Sequence, residues 1–207
     1  MLRVIDDFLD DPTFFRSAGL KLYDENSRDD VADSAWPGIR ANLTGSLRKR
    51  YLCKLESTLD TKLTIKNGPY FQWVDESWVS GLWHTDTQKY TILTFLNYDA
   101  PPNTGIEIAD NTEHKVNGSE YINYINFFDF IKHPFYKSSR DWGKRYWFKK
   151  EMNKFNSSPF FKNPCTVSNK FNRTVIFSRF QLHRAQNFFG KGKDARFTLI
   201  SFCDPTT

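Results

Sequence analysis

Hydrophobic positions early in the chain recur at helical intervals, and later ones fall in short alternating runs. Leu47, Tyr51, Leu52, Leu55 and Leu59 are three or four residues apart, so they share one face of a helix over about 45–60. Phe14, Ala18, Leu20 and Leu22 give a shorter, less regular amphipathic helix ending near Asp24. Asp11-Pro12 suits its start, because the carboxylate can cap free amides and proline fits the first helical position. Residues 2–5 read as a short strand, and the polar stretch 25–43 reads as loop.

Beyond Asn67-Gly68-Pro69 the period changes to that of strands. Residues 70–74 and 81–83 are short and aromatic, and residues 90–97 (Tyr-Thr-Ile-Leu-Thr-Phe-Leu-Asn) are rich in β-branched side chains. Residues 106–109, 173–179 and 196–203 complete the set, with an evident loop at 187–194. Helices followed by many short strands predict an α+β, mainly β chain: a helical layer packed on an antiparallel sandwich or barrel. The stretch 111–170 interrupts the strands with interleaved aromatic and basic residues, and its spacing predicts a helix over about 140–155.

A length of 207 residues suits one domain, and an aromatic share of 17% with 20 phenylalanines excludes a disordered chain. No apolar run is long enough to span a membrane. Asp6 and Asp7 stand where a secretory signal would be apolar, so a cytoplasmic setting is expected. Cys53, Cys165 and Cys203 are odd in number and far apart, which fits reduced thiols rather than a disulfide frame. The net charge of +5 does not by itself imply nucleic acid. Residues 114–158 alone hold nine Lys/Arg against four Asp/Glu, so this stretch carries the surplus.

Four histidines occur: His84, His114, His133 and His183. In His84-Thr85-Asp86 an extended backbone turns the imidazole and carboxylate to one face. Alone, this tripeptide ordinarily means a surface or capping pair. Two His and one carboxylate with open positions is the set that suits non-haem Fe(II) in oxygenases. His114 and His133 read as surface or core-edge histidines.

The ordered context carries a resemblance. Trp83-His84-Thr85-Asp86, then Thr91 to Asn97, then Thr104-Gly105-Ile106, resembles the first half of the double-stranded β-helix (jelly roll) of Fe(II)/2-oxoglutarate dioxygenases, most nearly their prolyl-hydroxylase-like branch. Val175-Ile176-Phe177-Ser178, His183 and Arg196 to Phe202 resemble the second half in the same order. The chain is also similar to phage-type members of that superfamily. The resemblance implies one domain: a helical layer at 1–66, half of the β-helix at 67–110, an aromatic-rich helical insertion or lid at 111–171, and the other half at 172–207. It implies His84, Asp86 and His183 as iron ligands and as the catalytic set. It implies Arg196 as the partner of the distal cosubstrate carboxylate. A guanidinium offers that carboxylate a permanent, forked charge. Thr198, two residues on, shares its strand face. Without the resemblance, Arg196 reads as a structural ion pair, for instance with Asp194.

Two departures stand out. Relatives often carry a cosubstrate-binding tyrosine where this chain has Phe95, so Thr91 or Tyr90 is the expected replacement. The interval from His183 to Arg196 also holds a Gly/Lys loop, longer than in similar proteins. Asp86 disfavours halogenation, for which that position is Ala or Gly in the family. The implied activity is O2-dependent hydroxylation of a peptidyl residue or small molecule with Fe(II) and 2-oxoglutarate. Nucleic-acid oxidative demethylation is less favoured, because Phe202 occupies the place of a second arginine in that branch. A non-catalytic cupin-like binding module is the other alternative. The sequence leaves the oligomeric state open.

Overall fold

A computed structural model of the chain describes residues 1–26, 38–78, 81, 84, 86–109, 164–179 and 181–206. The expected helix at 140–155, His114, His133 and most of the insertion lie outside these residues.

The elements run in the order β1 (Leu2–Ile5), α1 (Pro12–Asn26), β2 (Ile39–Asn42), α2 (Gly45–Leu59), β3 (Leu63–Val74), β4 (Tyr90–Phe95), β5 (Ile106–Ile108), β6 (Cys165–Val167), β7 (Thr174–Ser178), β8 (His183–Ala185) and β9 (Arg196–Pro205). Six strands form one antiparallel sheet in the order β1-β7-β4-β9-β3-β2, and β6-β5-β8 form a second.

Strand alternation sorts the apolar residues into two cores. On β4, Ile92 faces the helices while Leu93 and Phe95 face the second sheet. On β9, Phe197, Leu199 and Cys203 join the helical side. Arg196, Thr198 and Ile200 therefore turn the other way. The helical core is the larger. In it Trp73 stacks on Phe197 at 4.6 Å, and Tyr51 from α2 bonds Ser201 on β9 at 3.1 Å. Burying each such aromatic stabilises the layer by roughly 1.5–3 kcal/mol. The second core joins Leu93, Phe95, Val175 and Phe177 of the large sheet to Ile106, Ile108 and Val167 of the small one.

Both helices lie where hydrophobic spacing puts them. Asp11 caps α1 through its side chain to the Phe14 amide at 3.1 Å, and α2 ends at Asp60, whose φ of 50° is left-handed. Four strand expectations need correction. Residues 39–42 are a strand rather than loop, because their backbone completes the edge of β3. β3 begins at Leu63 and continues through Asn67-Gly68-Pro69, absorbing that turn signal as register irregularities. At Gly68 the φ is +85°, and a Cβ would lie 2.8 Å from the Ile200 carbonyl oxygen, so only glycine fits. The short strands β6 and β8 were not foreseen. In the stretch 81–83, Gly81 is not in a strand and the other two lie outside the described residues. Strand pairing there begins at His84, which bridges to His183.

Candidate metal centre

His84 and His183 face each other across that antiparallel bridge, each backbone amide donating to the other's carbonyl at 3.0 Å. The pairing brings two imidazoles from distant chain segments to a ring separation of 4.3 Å. Asp86, two residues beyond His84, closes the group. Its Oδ1 lies 3.7 Å from His84 Nε2 and its Oδ2 3.3 Å from His183 Nε2. All three ligand atoms are within 4.8 Å of one another. Two donors bound about 2.1 Å from one metal at a right angle stand about 3 Å apart, so the spacing suits a shared ion. Two imidazoles and one carboxylate are the donor set for Fe(II) with open positions.

The surroundings fix the donors. His183 Nδ1 lies 2.9 Å from the Gln181 carbonyl, which can only accept. The proton therefore sits on Nδ1, and the Nε2 lone pair faces Asp86. The ring also packs 4.3 Å from that of Phe177. Burial pushes the Asp86 carboxyl up, but His183, His84 and the Thr91 hydroxyl outweigh it and hold the pKa down at about 2.

Thr91 and Tyr90 both sit differently from their expected role as cosubstrate contacts. The Thr91 hydroxyl donates to Asp86 Oδ2, so its contact is with the metal-side carboxylate. Tyr90 is next along β4 and packs against the helical core, on the opposite face from the site. Strand alternation dictates both placements.

Arg196 and Thr198 lie on the inner face of β9, which turns toward the second sheet. Arg196 is 3% exposed. Its Nε donates to the Thr104 carbonyl at 3.1 Å and its Nη2 to that of Gly105 at 3.4 Å. Its guanidinium carbon lies between the rings of Phe95 and Phe188, 5.4 and 5.5 Å from their centroids. Desolvation lowers its pKa to about 10. Among the described residues no carboxylate pairs with it, so the expected ion pair with Asp194 is not formed. Thr198 is 1% exposed, and its hydroxyl is buried without a hydrogen-bond partner. A buried cation lacking an anion and an orphaned hydroxyl on one strand face fit a ligand carboxylate.

One polar pair on this face escaped sequence reasoning. Arg40 is paired with Gln72, Gln72 with Thr198, and Thr198 with Phe95, a single row across β2, β3, β9 and β4. The alternation of Ile39 and Ala41 with Arg40 was the available signal.

The fold has solved counterparts. The chain is similar to a prolyl hydroxylase from Trichoplax adhaerens, in complex with a hypoxia inducible factor oxygen degradation domain peptide fragment, with a TM-score of 0.60 at 12% identity, covering 98% of this chain and 82% of that one. It is similar to HygX from Streptomyces hygroscopicus with iron bound, with a TM-score of 0.60 at 12% identity, covering 99% and 82%. For HygX with nickel and 2-oxoglutarate bound, the TM-score is 0.57 at 14% identity, covering 99% and 83%. At these identities the likeness is one of fold: a mainly antiparallel β architecture shared with that prolyl hydroxylase and with HygX. No family model matches the chain, and no curated protein matches it. Among the described residues, no helix is long and apolar enough to cross a membrane.

Proposed function

We propose that the protein is a non-haem Fe(II)- and 2-oxoglutarate-dependent dioxygenase that hydroxylates a peptidyl residue or a small molecule. The observation that carries this reading is the convergence of the His84, Asp86 and His183 donor atoms, together with an Arg196 buried between the sheets without a carboxylate partner among the described residues. His84 and His183 would hold the metal through Nε2, and Asp86 through its carboxylate. Arg196 would receive the distal carboxylate of 2-oxoglutarate, and the Thr198 hydroxyl would donate to it. When bound, Fe(II) and 2-oxoglutarate supply the oxidising chemistry with O2, the cosubstrate leaving as succinate and CO2.

The chain's own residues do the rest. Gln181 fixes the His183 tautomer, and the Thr91 hydroxyl holds the orientation of Asp86. Phe95 and Phe188 exclude water from around the Arg196 guanidinium. This strengthens the pull of the guanidinium on a carboxylate. Where many relatives place a tyrosine, Phe95 gives a ring face to the guanidinium, and the hydroxyl contact passes to Thr198. The peptidyl alternative draws support from the prolyl hydroxylase counterpart with its bound peptide.

The test is anaerobic addition of Fe(II) and 2-oxoglutarate to the protein, followed by succinate assay in air. A visible charge-transfer band and succinate release are expected. Absence of both sinks the oxygenase reading in favour of a binding module.

A further inference from the structure

The oxygenase reading gives Arg196 a carboxylate to hold and leaves open what aims the guanidinium. Arg196 Nε donates to the Thr104 carbonyl at 3.1 Å. That carbonyl and the Gly105 amide belong to one trans peptide group, so they point in opposite directions within one plane. The Gly105 amide donates to the side-chain oxygen of Gln186 at 3.1 Å. A single peptide plane is therefore gripped from both sides, by Gln186 at its N–H and by Arg196 at its C=O. Gln186 also holds the next carbonyl. Its backbone amide donates at 3.1 Å to the Gly105 oxygen that takes Arg196 Nη2 at 3.4 Å. Both acceptors of the guanidinium thus depend on one glutamine.

The residue types suit this task. Gln186 is 9% exposed, and burying an amide is costly unless its polar atoms are paired. Its side-chain nitrogen donates to Glu107 Oε1 at 3.3 Å, and the other Glu107 oxygen accepts from Arg184 Nε on β8. The Gly105 amide can only donate and the Glu107 carboxylate only accept, so the side chain between them must offer both an acceptor and a donor. Hydrogen bonds in series polarise one another. The charge of Glu107 therefore strengthens, through Gln186, the Thr104 carbonyl that holds Arg196. Gly105 admits no side chain, because a Cβ would lie 1.9 Å from the Val167 carbonyl oxygen. The peptide before it lacks the restraint a side chain would give, and Gln186 supplies that restraint from outside.

Building on the oxygenase reading, we propose that Gln186 is a positioning residue for the cosubstrate: through the Thr104–Gly105 peptide it fixes the direction of the Arg196 guanidinium, and Glu107 holds Gln186 in that pose. Without it the peptide turns, the guanidinium follows, and the fork no longer meets the distal carboxylate squarely. Chelation at the metal uses the other end of the cosubstrate and none of these residues.

The test is anaerobic titration of the Fe(II) protein with two keto acids, read by the visible band. One is 2-oxoglutarate. The other is 2-oxobutyrate, which has the same chelating group and no second carboxylate. The parent should prefer 2-oxoglutarate by on the order of a hundredfold or more. Gln186→Met should lose about tenfold of that preference, with 2-oxobutyrate affinity unchanged. In the Arg196→Met background the same substitution should alter neither affinity. An equal loss for both keto acids marks a merely structural role and overturns the proposal, as does a further loss in the Arg196→Met background. Glu107→Ala leaves Gln186 in place without its anchor and should lose about threefold of the preference. It decides the matter if Gln186→Met does not fold, and an unchanged preference then overturns the proposal. A parent that binds both keto acids alike overturns the cosubstrate role of Arg196, and this proposal with it. A parent that prefers 2-oxoglutarate, beside a Gln186→Met protein that keeps the full preference, overturns this proposal alone.

Discussion

Replacing Arg196 with methionine separates a residue kept for a ligand from one kept for the fold. The guanidinium is fully enclosed, and its pKa of about 10 lies more than two pH units below an ordinary arginine. At 1.36 kcal/mol per pH unit, burying this charge costs roughly 3 kcal/mol. Against that stand two hydrogen bonds to the Thr104 and Gly105 carbonyls, worth about 1.5–3 kcal/mol each at most because the donor is charged, and weaker at 3.4 Å. Stability without ligands is therefore nearly balanced, and methionine retains much of the volume between Phe95 and Phe188. Arg196→Met should leave the melting temperature of the metal-free protein unchanged or slightly raised. Binding of 2-oxoglutarate behaves otherwise. Losing a buried, forked contact to a carboxylate costs about 3–4 kcal/mol, or on the order of a hundred- to a thousandfold in affinity. Anaerobic titration of the Fe(II) protein with 2-oxoglutarate, read by its visible band, measures the second quantity, and a thermal scan measures the first. If Arg196→Met melts far below the parent protein, or binds 2-oxoglutarate as tightly, the assignment of Arg196 is refuted.

Other substitutions probe the rest of the site and the frame around it. His84→Ala and His183→Ala should each abolish the visible band, and dialysis against limiting Fe(II) with metal analysis should find less than one-tenth of the parent's occupancy. Thr91→Val, which removes the hydroxyl on Asp86, should weaken metal binding about tenfold. Thr91→Ser should restore it, and equal affinity of Val and Ser would show that the hydroxyl is idle. Tyr90→Phe should leave 2-oxoglutarate affinity within twofold, because that ring lies on the helical face; a larger loss would contradict the strand register. On the outer edge, hydrogen bonds from Arg173 and Lys170 hold the Asp6 carboxyl far below its usual range. A depressed carboxyl contributes stability above its unfolded pKa and loses it as pH falls through the folded one. Asp6→Asn should therefore cost less than about 1 kcal/mol at neutral pH, since the pair is partly exposed, and nothing in strong acid. Urea melts at pH 7 and pH 2 should show the gap between parent and variant narrowing as the pH falls, and an unchanged gap would refute the pairing.

Both helices were legible because hydrophobic spacing and an Asp-Pro start are local signals. The three metal-binding candidates were legible as residue types in order. What places them together, the backbone bridge between His84 and His183, pairs positions far apart in the chain and leaves no local trace. Strands β2, β6 and β8 hold three or four residues each and carry polar or charged side chains at alternate positions within polar surroundings, so Arg40 was hidden inside an apparent loop. The role of Tyr90 failed for a simpler reason. Neighbours on a strand point to opposite faces, so Thr91 and Tyr90 were never equivalent candidates. The turn signal at Asn67-Gly68-Pro69 misled because β3 bends there without ending.

The bridge has one more consequence, for handling the protein. Two backbone hydrogen bonds at 3.0 Å hold the main chains of His84 and His183 side by side. Two imidazoles and a carboxylate suit several divalent first-row ions, whose affinities for such a set rise from manganese through copper. On the oxygenase reading, the element recovered with purified protein should follow the composition of the growth medium and of any chelating resin, and a preparation rich in nickel or zinc should be silent in the succinate assay until stripped and refilled with ferrous salt under reducing conditions.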